Sequence, residues 1–141
     1  CAERRALRRA AALSRRALVS SSMRMSIPSD ELFEGGSTIL TERGKQILER
    51  LAKVLVESQG RLILIEGHTD NEPIQDLPFA DNWGLGFARA DQVRDYLMRR
   101  GGIGGERLLA LTRGQFEPIA DNSTAAGRAK NRRVEIVLGP K

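Results

Sequence analysis

Two oppositely charged side chains in this 141-residue sequence have the chemistry to bind an amino acid together. Asp70 follows an apolar run at residues 62–65 that is typical of a buried strand, and Arg89 lies near the start of the next predicted helix. Ligand crevices of α/β sheets open at the carboxyl ends of strands. A carboxylate that binds an ammonium, beside a guanidinium that binds a carboxylate, makes a receptor for a zwitterionic head group. A structural ion pair fits the same spacing, so both interpretations stay open.

His68 follows the same apolar run and has Glu66 and Asp70 as neighbours, so a metal site or an acid–base site has to be considered. A catalytic zinc ion usually needs three protein ligands, whereas the sequence contains no second histidine and only one cysteine, Cys1. No serine nucleophile motif and no glycine-rich phosphate loop follows a predicted strand. We therefore expect a hydrogen-bonded histidine at a strand end, and we expect no metal, no cofactor and no enzymatic activity.

The positive charge of the chain is concentrated at its start. The formal net charge is +5, and residues 1–24 hold seven arginines against one acid, which leaves about −1 on the rest. Phosphate contacts supply most of the affinity of duplex-binding proteins, so a nearly neutral body argues against a specific nucleic-acid partner. A second basic cluster contains Arg128, Lys130, Arg132 and Arg133. We interpret it as a helix end that leads into a strand, with some arginines paired to loop carboxylates.

Residues 1–22 are predicted to form a basic leader helix, followed by one domain at residues 23–141. If residues 2–18 are helical, their six arginines fall within an arc of roughly 140° and apolar residues occupy the other side. Such a helix could lie on an anionic membrane surface or on a partner, or it could be a solvated linker. Three serines at residues 20–22 mark the boundary.

Hydrophobic periodicity predicts the order strand, helix, strand, helix, strand, short helix, strand. The predicted strands are at residues 23–27, 62–65, 107–111 and 134–138. The first predicted helix has its N-cap at Thr41 and ends near Gly60. The second has an apolar face that includes Ala90 and Leu97, and the short third helix lies at Ser123 to Asn131. This order predicts an α+β fold in which helices pack on one face of a small mixed sheet of about four strands. The strand at residues 62–65 should be central and covered on both faces.

Several short motifs are similar, in order and spacing, to the domain shared by the outer-membrane protein A and flagellar stator B-subunit families. They are EGHTDN at 66–71, NW at 82–83, ARA at 88–90, RL at 107–108, PIADN at 118–122 and GRAKNRRVEI at 127–136. Together they extend over roughly residues 23–138. The run TDNEPI at 69–74, combined with NW, resembles the stator B-subunit (MotB) branch more than the porin-type or lipoprotein members.

The resemblance implies binding to the peptide stem of peptidoglycan, commonly through diaminopimelate, whose side chain ends in an ammonium and a carboxylate. Carried over by motif position, Asp70 and Arg89 would be the principal ligand residues. Thr69, Asn82 and Arg128 would line or brace the pocket. The resemblance also implies a periplasmic domain of a protein anchored in the inner membrane. Stator-like relatives imply a homodimer and an A-subunit partner, reached through a membrane segment that these residues lack.

The sequence departs from the stator branch at two places. Gly84 and Gly86 stand where that branch usually has Glu and Ser, which is expected to loosen the helix start that presents Arg89 and to lower affinity. Residues 112–115 replace a more usual Gly-aromatic-Gly-Glu turn.

Three other functions remain as alternatives. A lipoprotein of the same family, lipidated at Cys1, would tether the outer membrane to the wall. A nucleic-acid binder would act through the basic leader, and its affinity would fall steeply with salt. Hydrolysis of the wall is the enzymatic alternative, for which no catalytic constellation is evident.

Overall fold

The computed structural model describes residues 23–58, 60–74 and 78–139. Four strands in this part form one mixed sheet: β1 (Met23–Pro28), β2 (Ile63–His68), β3 (Leu108–Gly114) and β4 (Arg133–Leu138). They lie in the order β1-β4-β2-β3, with β4 antiparallel to both β1 and β2, and β3 parallel to β2. The predicted α+β fold is confirmed, and β2 is one of two interior strands. The predicted leader helix lies outside the described residues.

Four α-helices are described: α1 (Ser29–Leu32), α2 (Glu42–Leu55), α3 (Asn82–Arg99) and α4 (Ala125–Asn131), with a 3-10 turn at Gly105–Arg107. The three longer helices begin at a side-chain cap, because Thr41, Asp81 and Thr124 accept hydrogen bonds of 2.8–2.9 Å from the backbone N–H three residues ahead. The predicted capping role of Thr41 is confirmed. None of the described helices combines the length and the apolar character needed to span a bilayer.

The core lies between one face of the sheet and the apolar faces of α2 and α3, as the periodicity predicted. Burial of these side chains supplies the main stabilising free energy of the domain. The fully covered members include Leu48 of α2, Ile63 and Ile65 of β2, Val93 and Leu97 of α3, and Val134 of β4.

The structure differs from the predicted elements at several boundaries. Helix α2 ends at Leu55 rather than near Gly60, and the predicted loop before it contains the single turn α1. Strand β3 extends to Gly114, because its parallel pairing with β2 continues to the end of that strand. The prediction that the apolar run is covered on both faces is wrong in part, since Leu62 is 52% exposed.

The backbones of β2 and α3 are in direct contact at two glycines. A methyl group at Gly67 would overlap the carbonyl oxygen of Gly86, and a methyl group at Gly86 would meet the side chain of Thr112. The glycine at position 86 therefore permits close packing of the helix start, rather than loosening it. By contrast, a Cβ at Gly84 would make only ordinary contacts, the nearest at 3.6 Å.

We expect Gly67→Ala to lower the free energy of unfolding by about 3 kcal/mol, because α3 has to move away from β2 to admit the methyl group. Thermal unfolding followed by circular dichroism measures the change. Gly35→Ala is the control, since a Cβ at Gly35 has no atom within 4 Å and should change stability by less than about 0.5 kcal/mol. Equal stability of both variants would contradict the proposed contact.

Candidate ligand-binding site

The structure brings the sequence-predicted residues to one place, at the carboxyl end of β2. Asp70 lies two residues after the strand and Arg89 lies in the second turn of α3, and both are buried, at 8% and 3% exposure. Thr69 and Asn82 are also buried, and Arg128 on α4 is half-buried.

Asp70 is held by Arg132, a residue that the sequence did not single out as a ligand residue. Arg132 Nη1 donates to Asp70 Oδ2 at 2.8 Å, and the backbone N–H of Glu72 donates to Asp70 Oδ1 at 3.1 Å. Arg132 also binds Asp30 in bidentate fashion, from Nε to Oδ1 at 3.2 Å and from Nη2 to Oδ2 at 2.9 Å. The hydrogen bonds that Arg132 donates to Asp30, and then to Asp70, outweigh its partial burial and raise its pKa.

Arg89 is a buried cation without an ion-pair partner in the part of the chain that the structure describes. Its Nε donates to the carbonyl oxygen of Ser37 at 3.0 Å, and its guanidinium carbon lies 5.4 Å from the centre of the Phe33 ring. Burial is the main cause that lowers the pKa of Arg89, and Asp30 and Asp70 oppose it only in part. The direct Asp70–Arg89 ion pair that the sequence allowed is therefore not formed.

The other predicted residues brace the loop that follows β2. Thr69 Oγ1 donates to the carbonyl oxygen of Asp70 at 2.8 Å. Asn82 Nδ2 donates to the carbonyl oxygen of Glu72 at 3.0 Å and to Gln115 Oε1 at 3.1 Å. Arg128 Nη1 donates to the carbonyl oxygen of Asn122 at 2.9 Å, while its Nε lies 3.5 Å from Glu72 Oε1. We call Asp30, Asp70, Arg89 and Arg132 the strand-end pocket.

The register of the sheet explains why Arg132 and Asp30 reach this pocket. Arg133 is paired with His68 of β2 on one side and with Pro28 of β1 on the other. Arg132 therefore lies level with the residues that follow His68, and Asp30 lies two residues beyond Pro28. The sequence predicted that some arginines of the basic cluster pair with loop carboxylates. It could not identify Asp30 and Asp70 as the partners of Arg132, because strand register is not visible in the sequence.

A second charged cluster lies on the opposite face of the sheet from the helices. Glu66, His68 and Glu135 offer ligand atoms within 4.8 Å of one another, so Glu135, and not Asp70, joins the histidine in a possible ligand set. Arg24 Nη1 lies 2.8 Å from Glu66 Oε1 and 2.6 Å from Glu135 Oε1, and Arg133 Nε donates to Glu135 Oε2. Both carboxylates of this set are therefore bound by guanidinium groups of the protein.

His68 lies inside this cluster as a buried histidine. Its Nε2 is 3.2 Å from Glu66 Oε1, which is a hydrogen bond at a strand end of the kind expected from the sequence. Burial, followed by the positive charge of Arg133, lowers the pKa of His68, and the nearby carboxylates only partly compensate. A neutral imidazole at neutral pH follows from this direction.

The pKa of Glu135 is lowered, although burial alone would raise it, because hydrogen bonds from Arg24 and Arg133 favour the carboxylate. Because the pKa of Glu135 is lower in the folded than in the unfolded protein, its carboxylate stabilises the fold at pH values above the unfolded pKa, near 4.5. This stabilisation is lost as the pH falls through the folded pKa. Acid should therefore weaken the cluster.

We expect Glu135→Gln to lower the free energy of unfolding by roughly 3 kcal/mol at neutral pH, since Arg133 loses its carboxylate partner. The difference from the native chain should shrink at acid pH, as the pH falls below 4.5 and through the lowered folded pKa, because the native carboxylate then becomes protonated as well. Thermal unfolding at both pH values measures it, with Glu57→Gln at an exposed position as the control. A loss of the same size at both pH values would count against the linkage.

The structure is a small α+β domain that carries two acids and two arginines near the end of an interior strand. The chain belongs to the OmpA family, whose model matches residues 32–132. The family resemblance carried by the sequence motifs is thereby confirmed.

Individual relatives agree with this assignment. The chain is 32% identical over 124 residues to Motility protein B of Bacillus subtilis, covering 88% of this chain and 48% of the relative. It is 41% identical over 93 residues to Peptidoglycan-binding protein ArfA of Mycobacterium tuberculosis, covering 66% of this chain and 27% of the relative. The cell wall anchor of the T6SS from Pseudomonas aeruginosa superposes with a TM-score of 0.80 at 35% identity, covering 96% of this chain and 97% of that chain. This chain spans about half the length, or less, of the curated relatives described here.

Proposed function

We propose that this domain binds peptidoglycan non-covalently, through the diamino acid of the peptide stem, and catalyses no reaction. The observation that carries the proposal is the buried guanidinium of Arg89, which has no carboxylate partner among the described residues and lies beside the Asp70–Arg132–Asp30 network. An uncompensated buried charge is costly, and a ligand carboxylate would supply the missing anion.

Asp70 would receive the ammonium group of the same ligand. Each of its carboxylate oxygens accepts one hydrogen bond from the protein, from Arg132 and from the backbone of Glu72. A carboxylate has about four acceptor positions, so an ammonium can bind without displacing Arg132. The strand-end pocket holds two acids and two arginines, and a zwitterion leaves its net charge at zero.

The wider role that we propose is an anchor between a membrane-associated protein and the cell wall. One relative is named as a peptidoglycan-binding protein and a similar structure is named as a cell wall anchor, which supports this role. Similarity to Motility protein B supports a stator-like B-subunit in the periplasm. A stator-like B-subunit would form a homodimer and would contact an A-subunit. Both contacts would be made by the larger protein, of which the wall-binding domain is one part.

Neutralising the proposed ligand residues should weaken wall binding. We expect Asp70→Asn and Arg89→Gln each to weaken binding about 10-fold or more, because each removes one charge-assisted contact to the ligand. Sedimentation with insoluble peptidoglycan measures the bound fraction over a range of wall concentrations. The matched control is Asp95→Asn with Arg99→Gln, an exposed ion pair of 2.6 Å on α3, which should bind as the native chain does.

Competition with small molecules separates zwitterion recognition from simple charge attraction. Free diaminopimelate should release the domain from the wall. Pimelate, which keeps both carboxylates, and 1,5-diaminopentane, which keeps both amines, should compete far less. Undiminished sedimentation of the Asp70→Asn, Arg89→Gln double variant would refute the proposed pocket.

The bridging role of Arg132 gives a separate expectation. Arg132 reaches Asp70 and both oxygens of Asp30 from three separate nitrogen atoms, whereas a lysine has one nitrogen and cannot span the same three oxygens. We expect Arg132→Lys to weaken sedimentation with peptidoglycan by about 5-fold, with the same fold by circular dichroism. Arg99→Lys, at the exposed pair on α3, is the control. Native affinity of the Arg132→Lys variant would show that a single positive charge suffices.

A further inference from the structure

A groove with a positively charged lining lies between the last turns of α2 and α3. Its volume is about 610 Å³, which is large enough for a small ligand group. Three cations and one acid give the lining a formal charge of +2. The lining, which we call the basic groove, consists of Gln46, Glu49, Arg50, Ala52, Lys53, Arg100 and Gly101.

The cations of the basic groove are not neutralised within it. Lys53 and Arg100 have no carboxylate partner among the residues that the structure describes. The acid of the lining, Glu49, accepts a hydrogen bond of 2.7 Å from the hydroxyl of Tyr96. Partial burial, followed by this hydrogen bond, raises the pKa of Tyr96 to about 12, so the hydroxyl remains a donor at neutral pH. Positive charge in the groove is therefore available to an external anion.

A close contact between the two helices forms the floor of the groove. A Cβ at Gly101 would lie 2.7 Å from the Cβ of Ala52, so the end of α3 packs on α2 with no side chain between them. Lys53 lies in the last turn of α2, and Arg100 directly follows α3. A cation near the end of a helix also interacts favourably with that helix alone. That interaction does not require cations of two helices to line one groove, as they do here.

The basic groove and the strand-end pocket lie at opposite ends of β2. Arg107 donates to the carbonyl oxygen of Arg61, two residues before β2, and to those of Leu55 and Ser58 at the end of α2. These bonds hold the end of α2 at the start of the strand, whereas Asp70 follows the other end. Six strand residues extend over about 17 Å, so a ligand at one end does not reach the other.

The chain enters the described domain at the same end as the basic groove. Met23, the first residue of β1, is paired with Leu138, and Leu138 is paired on its other side with Ile63 at the start of β2. Residues 1–22, which contain six arginines, therefore join the domain at this end. The positive charge of the sequence and that of the groove thus belong to the same end of the molecule.

We infer that the basic groove binds the phosphate of an anionic lipid headgroup, so that this end of the domain lies on a membrane surface. Two exposed apolar side chains, Val56 after α2 and Leu62 before β2, accompany the cations at this end, at 40% and 52% exposure. Cations beside exposed apolar groups suit an interface where phosphates lie beside hydrocarbon. The nearly neutral remainder of the chain argues against a nucleic-acid duplex as the anion.

Sedimentation with lipid vesicles tests the inference on the full chain. Vesicles of phosphatidylcholine that contain phosphatidylglycerol should bind the native chain, and vesicles of phosphatidylcholine alone should not. Lys53→Gln with Arg100→Gln should weaken binding about 20-fold, at roughly 5-fold for each charge removed. An acidic protein as the true partner predicts no vesicle binding by the native chain, which would overturn the inference.

The matched control removes the same charge from exposed positions away from the groove. Arg43→Gln at the start of α2, combined with Lys130→Gln on α4, should weaken vesicle binding by less than about 2-fold, because salt screens distant charges. Equal losses in the two double variants would show that net charge alone drives the binding. That result would overturn the inference.

An indole at position 56 separates contact by the groove from binding through residues 1–22. Val56 lies three residues after Lys53 and thus on the adjoining surface of the helix end. In the Val56→Trp, Trp83→Phe variant the indole there is the only one of the chain. Its emission should shift to the blue on phosphatidylglycerol vesicles, whereas that of Trp83 in the native chain should not. Vesicle binding without the shift at position 56 would overturn the inference.

The lipid site and the proposed function can fail separately. The Asp70→Asn, Arg89→Gln variant should bind vesicles as the native chain does, since its substitutions lie at the other end of β2. Peptidoglycan binding by a native chain that binds no vesicles would overturn only the lipid site. Vesicle binding that depends on Lys53 and Arg100, without any peptidoglycan binding, would overturn only the proposed function.

Discussion

The contact between the backbones of β2 and α3 sets the geometry of the candidate ligand site. No side chain fits between Gly67 and the carbonyl group of Gly86, so the strand end and the first turns of the helix lie at backbone distance. Asp70 follows Gly67 by three residues and Arg89 follows Gly86 by three. The close packing at these two glycines therefore places Asp70 and Arg89 at one end of the sheet, although Asp70 pairs with Arg132 and Arg89 donates to the carbonyl oxygen of Ser37.

The start of β4 connects two charge networks on opposite sides of the sheet. Arg132 binds Asp70 and Asp30 in the strand-end pocket, whereas Arg133 binds Glu135 in the cluster on the outer face. Neighbouring residues of an extended chain point to opposite sides, so consecutive arginines serve both networks without competing. Arginines of the protein bind both carboxylates of the outer cluster. In the strand-end pocket, Arg89 has no carboxylate partner among the described residues, which makes this pocket the candidate for binding.

Much of the fold could be predicted, because it depends on local patterns. The apolar faces of α2 and α3, the cap at Thr41 and the alternation in β4 each appear within a few neighbouring residues. Asp70 and Arg89 could be singled out by their position after a strand and on the following helix. Asp30 and Arg132 could not be assigned as partners, since they are 102 residues apart and meet only through the register of β1 and β4. The exposure of Leu62 was likewise missed, because an apolar run does not reveal which face remains open.

The pattern of ion pairs in the strand-end pocket explains how the pocket can be stable and still be able to bind a ligand. Asp30 and Asp70 are the two acids whose charges act on Arg89, but Arg132 binds both of them. Three of the four charges satisfy one another, and their total with Arg89 is zero, which limits the cost of burying them. A carboxylate alone would leave the occupied pocket with a net negative charge, and an amine alone with a net positive one. Among charged ligands, one that carries both groups keeps the balance, so the zwitterion preference that we propose follows from the charge count as much as from any single contact.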